Sequence, residues 1–97
     1  MKTIAICISS YNQQEFLPEA IESVLAQKRK PDEFVITDDG STDSSLEYAK
    51  SYETKGVKVI SQVNKGLPSA RNTGIMNTRS DYILFLDADD MLMENAL

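Results

Sequence analysis

The sequence predicts an α/β fold, a mostly parallel β-sheet with helices on both faces. Short apolar runs alternate with helical patterns along the chain, in the order β-α-β-α-β-α-β. The predicted strands are apolar on both faces, as in a parallel sheet covered by helices, and turn-forming polar residues follow each of them. The 97 residues are enough for one domain, and no repeat or linker divides them.

The first half of the chain contains two predicted strands and two predicted helices. Apolar, β-branched runs predict strands at Thr3–Ser9 and Glu33–Thr37. Between them, a one-sided apolar pattern over Phe16–Leu25 predicts an amphipathic helix with Pro18 in its first turn. The second helix is predicted over Ser44–Lys55, because good capping residues precede it and a glycine follows it.

The second half repeats this alternation. Strands are predicted at Val57–Gln62 and Tyr82–Leu86, with a helix from Pro68 to Thr78 between them. A further helix is predicted to begin at Met91, and residues 91–97 have the pattern of an element that is cut off. We therefore expect a sheet truncated after its fourth strand.

Composition excludes several classes of function. Ten basic against fifteen acidic residues give a net charge of −5, which argues against nucleic acid as a partner. The chain has no His, which excludes Ser-His-Asp and Cys-His catalysis and His-ligated zinc. Its four glycines are too far apart for a dinucleotide-binding or Walker A loop. No targeting segment is visible, and the lone Cys7 in an apolar run indicates a buried residue in a reducing, cytoplasmic compartment.

Polar side chains converge on one edge of the predicted sheet. Parallel strands all end at that edge, where ligand sites of α/β proteins lie. The residues that directly follow the four strands, or end them, are Ser9, Ser10, Tyr11 and Asn12, then Asp38 and Asp39, then Asn64 and Lys65, and finally Asp87, Asp89 and Asp90. Because an aromatic ring, amides and five carboxylates come together, we expect a functional site there.

The acidic segment after the fourth strand predicts a metal site. Carboxylates at Asp87 and Asp89 suit a hard cation such as Mn²⁺ or Mg²⁺, which would also relieve the repulsion between them. An acidic cap on the following helix is the alternative interpretation.

Other polar residues also allow two interpretations. Tyr11 could stack on a nucleobase or pack under a loop, and Arg71 could bind a pyrophosphate or form a surface ion pair. Residues 40–43 have the composition of a turn followed by a helix cap. A turn does not by itself explain the two adjacent carboxylates, Asp38 and Asp39, that precede them. The basic segment Lys28–Lys30 is interpreted as a solvated helix end.

The chain resembles the N-terminal, nucleotide-binding half of family 2 glycosyltransferases, which have a Rossmann-like GT-A fold. The motifs that carry the resemblance occur in the family's order and spacing over practically the whole chain. They are S-S-Y-N (9–12), S-V-L-A-Q (23–27), D-D-G-S-T-D (38–43), N-K-G (64–66), A-R-N-T-G (70–74) and D-Y-I-L-F-L-D-A-D-D (81–90).

The resemblance implies a role for each matching residue. The donor nucleotide would be bound by Ser9, Tyr11, Asn12, Asp38, Asp39, Arg71 and Asp87. Tyr11 would stack on the base, Asp39 would hydrogen-bond it, and Asp38 would support the loop. Asp87 and Asp89 match the family's D-x-D motif, with Asp87 toward the ribose and Asp89 toward a Mn²⁺ or Mg²⁺ ion. Asp90 is not assigned to the donor and could serve simply as a cap of the next helix.

The resemblance also implies a reaction. Residues 1–97 would be the donor half of an inverting glycosyltransferase that uses a UDP-sugar, with a saccharide or lipid-linked acceptor. The acceptor half and the catalytic base would lie outside the chain, so we expect no activity from it alone. We expect a cytoplasmic protein in cell-envelope polysaccharide synthesis, peripheral at the inner membrane face at full length, and self-association of this chain through its truncated face.

Two other functions stay open at this point. A metal-dependent phosphotransferase with an Asp nucleophile also uses D-x-D after a strand, but after the first strand rather than the fourth. A non-catalytic nucleotide-sugar-binding module is the second alternative. The ligand distinguishes them, since the transferase half binds a nucleoside diphosphate with Mn²⁺.

Overall fold

A computed structural model describes residues 2–92 and 96–97. Within these residues, four strands and three α-helices follow one another in the predicted order. They are β1 (Ile4–Ser10), α1 (Leu17–Leu25), β2 (Glu33–Asp38), α2 (Ser45–Lys50), β3 (Lys58–Ser61), α3 (Leu67–Met76) and β4 (Tyr82–Asp87), with a 3₁₀ turn at Glu53–Lys55 before β3. The predicted α/β class is therefore confirmed.

The strands form one parallel sheet in the order β3-β2-β1-β4. Cys7 of β1 lies between Val35 of β2 and Phe85 of β4, so β1 is central. The chain moves outward in one direction from β1 to β3 and then returns to place β4 on the other side of β1. The C-terminal ends of β1 and β4 therefore flank the point where the strand order reverses.

Helices cover both faces of the sheet, as predicted. On one face, α1 and α2 pack on the apolar side chains of β1 and β2. That core contains Ile6, Ile8, Phe34 and Ile36 from the strands and Leu17, Ile21, Val24 and Ala49 from the helices. On the other face, α3 approaches so closely that a Cβ on Gly74 would lie 3.3 Å from the Cys7 sulfur. A glycine inside this helix is therefore explained by close packing on β1.

The second helix is shorter than predicted. It ends at Lys50 instead of Lys55, and a separate 3₁₀ turn follows it. The Ser51 hydroxyl donates to the Tyr48 carbonyl at 2.6 Å, so it competes with helical hydrogen bonding at this point. Gly56, with φ at +88°, ends the turn. The helix predicted to begin at Met91 runs into residues 93–95, which lie outside the described residues.

The covering of β4 is incomplete, in agreement with the exposed apolar face expected after the fourth strand. As an edge strand it pairs with β1 alone among the described strands. Tyr82, Leu84 and Phe85 keep 59%, 38% and 42% of their surface exposed. Across the part of the chain that the structure describes, no helix has the length and apolarity that a membrane span needs.

Candidate functional site

The reversal point of the sheet opens into a polar cleft. Ser9 at the end of β1 lies beside Asp87 at the end of β4, in the same register. A cleft of about 130 Å³ lies there, and its lining includes Ser9, Tyr11, Gln13, Leu67, Asp87, Ala88 and Asp89. The structure thus brings four of the predicted site residues to one cleft, namely Ser9, Tyr11, Asp87 and Asp89.

Three carboxylates stand together on one side of this cleft. Asp87, Asp89 and Asp90 each place an oxygen within 4.8 Å of the others. A turn fixes the segment, since the Asp90 amide donates to the Asp87 carbonyl at 2.9 Å, and the intervening Ala88 is buried. Three exposed or half-exposed carboxylates at this separation repel one another, and hard oxygen ligands are the donors that Mg²⁺ and Mn²⁺ select. The residues therefore fit a divalent cation.

Arg71 joins this group from the first turns of α3. Its Nη2 lies 3.0 Å from Asp87 Oδ1, and the two side chains are 43% and 44% exposed. At that exposure, solvent screening limits the ion pair to about 0–1 kcal/mol. The pair contributes little to stability, so the guanidinium can exchange Asp87 for another anion at small cost.

Asp39, which the resemblance implies as a partner of the base, hydrogen-bonds the segment that follows β3 in this structure. Its side chain is buried, with 1% exposed, and it binds the segment that follows β3. Oδ1 accepts hydrogen bonds from Gln62 Nε2 at 2.8 Å and the Lys65 amide at 2.9 Å. Oδ2 accepts from Asn64 Nδ2 at 3.1 Å and the Gly66 amide at 2.9 Å. These four donors fill the acceptor sites of a carboxylate.

The same contacts set the charge state of Asp39. Burial by itself raises the pKa of this carboxyl, but the hydrogen bonds from Gln62, Lys65 and Gly66 outweigh it and hold the pKa below its ordinary value. Asp39 is therefore an ionised group that fastens the loop between β3 and α3.

Asp38 and Asn12 hold the neighbouring loop. Asp38 is also buried, and its carboxylate accepts hydrogen bonds from the amide and the hydroxyl of Ser41 at 3.0 and 2.6 Å. Asn12, with φ at +51°, uses Oδ1 to accept the Thr42 amide at 2.7 Å and the Asp43 amide at 3.3 Å. Asn12, Asp38 and Asp39 are thus placed to shape the loops around the cleft, and none of them is among its lining residues.

The sequence interpretation missed Leu67 and Gln13 as cleft-lining residues, and Gln62 as a partner of Asp39. Leu67 and Tyr11 are 37% and 39% exposed and line the same cleft. The signal for Leu67 was its place at the start of α3, directly after the N-K-G turn. No local pattern marks Gln62, because its contact with Asp39 joins residues that are 23 positions apart.

Comparison with known proteins supports one family. The family described as "Glycosyl transferase family 2" matches residues 5–97. The uncharacterized glycosyltransferase EpsJ of Bacillus subtilis is 42% identical over 89 residues, which are 90% of this chain and 26% of EpsJ. The minor teichoic acid biosynthesis protein GgaA of the same bacterium is 39% identical, over 96% of this chain and 23% of GgaA. The chain thus spans about a quarter of the length of these relatives.

Solved structures agree in fold. Staphylococcus aureus TarS in complex with UDP-GlcNAc superposes with a TM-score of 0.86 at 28% identity, covering 96% of this chain and 28% of TarS. The mannosyltransferase PcManGT of Pyrobaculum calidifontis, solved with GDP-Man and Mn²⁺, has a TM-score of 0.88 at 18% identity, over 97% of this chain and 29% of PcManGT. The Rossmann-like GT-A fold expected from the motifs is confirmed, and the chain belongs to glycosyl transferase family 2.

Proposed function

We propose that this chain is the donor-binding half of an inverting glycosyltransferase that uses a nucleotide-diphosphate sugar. One observation carries the proposal. An aromatic ring, an arginine and a carboxylate cluster meet around a single cleft at the reversal point of the sheet. A nucleoside diphosphate needs such a surface, because it has a planar base, a ribose and two phosphates.

Each part of the donor has a partner in the cleft. Tyr11 and Leu67 offer apolar surface for the base, and Ser9 and Asp87 offer polar groups for the ribose. Arg71 exchanges Asp87 for a phosphate when the donor binds, which its forked donors suit. Asn12, Asp38 and Asp39 contribute indirectly, because they hold the loops around the cleft in place by hydrogen bonds.

Asp89, with Asp87, would hold the metal, which is Mn²⁺ or Mg²⁺. When bound, such an ion neutralises negative charge that develops on the departing diphosphate. A bound cation would also offset the repulsion between the chain, which has a net charge of −5, and the anionic donor that it is proposed to bind.

Uridine is the base that we propose. TarS, whose complex contains UDP-GlcNAc, is 28% identical to this chain over nearly all of it. The acceptor, a saccharide or a lipid-linked one, and the carboxylate base for its hydroxyl are proposed to belong to a part of the longer protein outside this chain. The relative GgaA supports a role in the synthesis of cell-envelope polymers, which would place the donor site in the cytoplasm.

Calorimetric titration of UDP, with and without Mn²⁺, tests the donor site. We expect metal-dependent binding that Asp89→Asn abolishes and that the matched variant Glu47→Gln retains, since Glu47 is an exposed carboxylate on α2. If the folded chain binds neither UDP, GDP nor dTDP at millimolar concentration with Mn²⁺ present, the proposal is wrong for this chain. Sugar transfer by the chain alone, abolished by Asp89→Asn, would contradict the assignment of the base to another part.

Self-association through β4 is a second consequence. The strand has apolar side chains on both faces and an unpaired edge among the described strands, which is a template for pairing. Light scattering should show a mass above that of the monomer at high concentration, and Leu84→Lys should lower it. A monomeric mass at every concentration would contradict this expectation.

A further inference from the structure

The edge of the sheet opposite the candidate site carries most of the positive charge. All four strands begin there, since the sheet is parallel. Seven of the ten Lys and Arg residues precede or begin these strands, and together they are called the basic edge here: Lys2, Lys28, Arg29, Lys30, Lys55, Lys58 and Arg79. All of them are exposed except Arg29, which is half-buried.

Contacts between the connecting segments gather these cations on one surface. Arg29 Nη2 donates to the Lys2 carbonyl at 3.0 Å, which joins the turn before β2 to the start of the chain. The Arg79 amide donates to Glu33 Oε1 at 2.8 Å, which joins the turn before β4 to β2. Lys58 Nζ lies 3.3 Å from Asn77 Oδ1, which adds the start of β3 to the same surface.

The carboxylates at this edge are fewer and mostly occupied. Among the described residues, four precede or begin the strands, against seven cations, namely Asp32, Glu33, Glu53 and Asp81. Asp32 accepts the Ile4 amide and pairs with Arg29, Glu33 accepts from Arg79 and Ser80, and Asp81 accepts the Thr3 amide. The edge thus has a formal excess of three positive charges in a chain whose net charge is −5.

Distance keeps the two poles of charge separate. The seven residues of β1, at about 3.3 Å each, place the basic edge roughly 23 Å from the carboxylates of the candidate site. Because the Debye length is about 8 Å at physiological ionic strength, the acidic pole does not cancel the field at the basic edge. An anionic partner would therefore approach from this side despite the negative net charge.

Exposed apolar side chains lie among these cations. Ile75 and Met76 end α3 at this edge and are 42% and 84% exposed, and Tyr82 begins β4 there and is 59% exposed. An apolar-floored cleft of about 250 Å³ opens between Lys30 and Lys55, over Phe34. A soluble polyanion needs the charges alone, whereas a bilayer interface takes both charges and amphipathic or apolar side chains.

We propose that the basic edge docks on the surface of an anionic lipid bilayer. Lys30 and Lys55 contact the lipid phosphates, and Met76 and Tyr82 enter the headgroup region. The candidate donor site, at the opposite edge of the sheet, then faces the solution, from which a water-soluble nucleotide-sugar arrives. The sequence interpretation of residues 28–30 as a solvated helix end did not include the other cations, because they come from distant segments of the chain.

Vesicle co-sedimentation of the whole chain tests the proposal. Vesicles of mixed phosphatidylglycerol and phosphatidylcholine are compared with vesicles of phosphatidylcholine alone, over a range of salt concentrations. We expect binding to the anionic vesicles that weakens with salt. The double variant Lys30→Gln/Lys55→Gln should lower the partition coefficient about 25-fold, taking roughly a fivefold loss for each cation near the surface.

Lys50→Gln/Lys65→Gln is the matched control, because it removes the same charge from exposed lysines outside the basic edge. It should bind as the unchanged chain does, and thermal melting establishes that both double variants fold. Equal binding to the two kinds of vesicle, or an equal loss in the control, would overturn the proposal. Unchanged vesicle binding by Met76→Gln would overturn the placement of Met76 in the headgroup region.

Discussion

The buried carboxylate of Asp39 offers the most demanding test of the site's architecture. In Asp39→Asn, an NH₂ group replaces one oxygen while size and shape are kept. If the NH₂ group replaces Oδ1, it faces the backbone N–H of Lys65, and if it replaces Oδ2, it faces the backbone N–H of Gly66. In either case two donors face each other. Gln62 cannot turn its amide freely to compensate, because its Oε1 already accepts the Thr73 hydroxyl at 2.6 Å.

The expected cost follows from the number of hydrogen bonds lost. Two of the four bonds become donor-to-donor contacts, and a bond to a charged group contributes about 1.5–3 kcal/mol. We therefore expect the variant to lose about 3–6 kcal/mol of unfolding free energy, from a total of roughly 5–15 kcal/mol for a domain of this size. At about 4–8 °C per kcal/mol, the Tm should fall by at least about 12 °C.

The dependence of this loss on pH tests its electrostatic origin. Because the folded pKa of Asp39 lies below its unfolded value of about 3.9, ionised Asp39 stabilises the fold above that pH. That contribution is lost as the pH falls through the folded pKa. Melting curves of the original chain and Asp39→Asn, followed by circular dichroism from pH 7 to pH 2, should therefore converge on the acid side.

A conservative control separates this effect from the removal of any surface charge. Asp89→Asn changes an exposed carboxylate of the cleft and, without metal, should change stability by less than about 0.5 kcal/mol. A Tm loss below about 5 °C in Asp39→Asn, or a loss that stays constant down to pH 2, would refute the reasoning.

Four further outcomes are expected. Gly74→Ala should lose about 1 kcal/mol in chemical unfolding, since its Cβ would lie 3.3 Å from the Cys7 sulfur, and Cys7→Ala should restore the loss in the double variant. Burial, with a smaller effect of Glu33, raises the pKa of Cys7 to about 11, so a thiol reagent at pH 8 should label it only after unfolding; rapid labelling of the folded chain would contradict this. Ser10→Ala should raise the Tm slightly, because the Ser10 hydroxyl is buried and, within the described residues, has no hydrogen-bond partner; a lower Tm would indicate a bound water there. Mn²⁺ at ten times its dissociation constant should add about 1.4 kcal/mol, or roughly 6–11 °C, and Asp89→Asn should abolish the gain.

The alternation of strands and helices was predictable from local patterns, because each element carries its own periodicity. The start of α3 was predicted to within one residue, since Pro68 suits a first helical turn. The end of α2 was not, because Ser51 is an acceptable helical residue whose hydroxyl bonds the backbone instead. An exposed apolar face beside β4 was expected, but which of its side chains are exposed was not, because its sequence is as apolar as that of the central strand.

For the candidate site, the sequence indicated which residues share an edge but not which of them point into the cleft. Asp38 ends β2 and Asp39 follows it, and nothing local distinguishes a carboxylate that faces a ligand from one that fastens a loop. Only the position of residues 62–66, more than twenty positions away, supplies the donors that engage Asp39. The pairing of Arg71 with Asp87 likewise depends on how α3 crosses the sheet.

The place of β1 at the centre of the sheet has a consequence for how the chain acquires its structure. Among the described strands, β1 is synthesised first and pairs with β4, which follows all the others, and the contact of Thr3 with Asp81 closes a loop of 78 residues. Closing such a loop costs about 0.9 kcal/mol more entropy than the 28-residue loop from Ile4 to Asp32, which completes the pairing with β2. We expect β3, β2 and β1 to assemble first and β4 to join last. In the intermediate, one edge of the apolar strand β1 would therefore be unpaired. During synthesis on the ribosome, that open edge is where a chaperone would bind and where two nascent chains would aggregate.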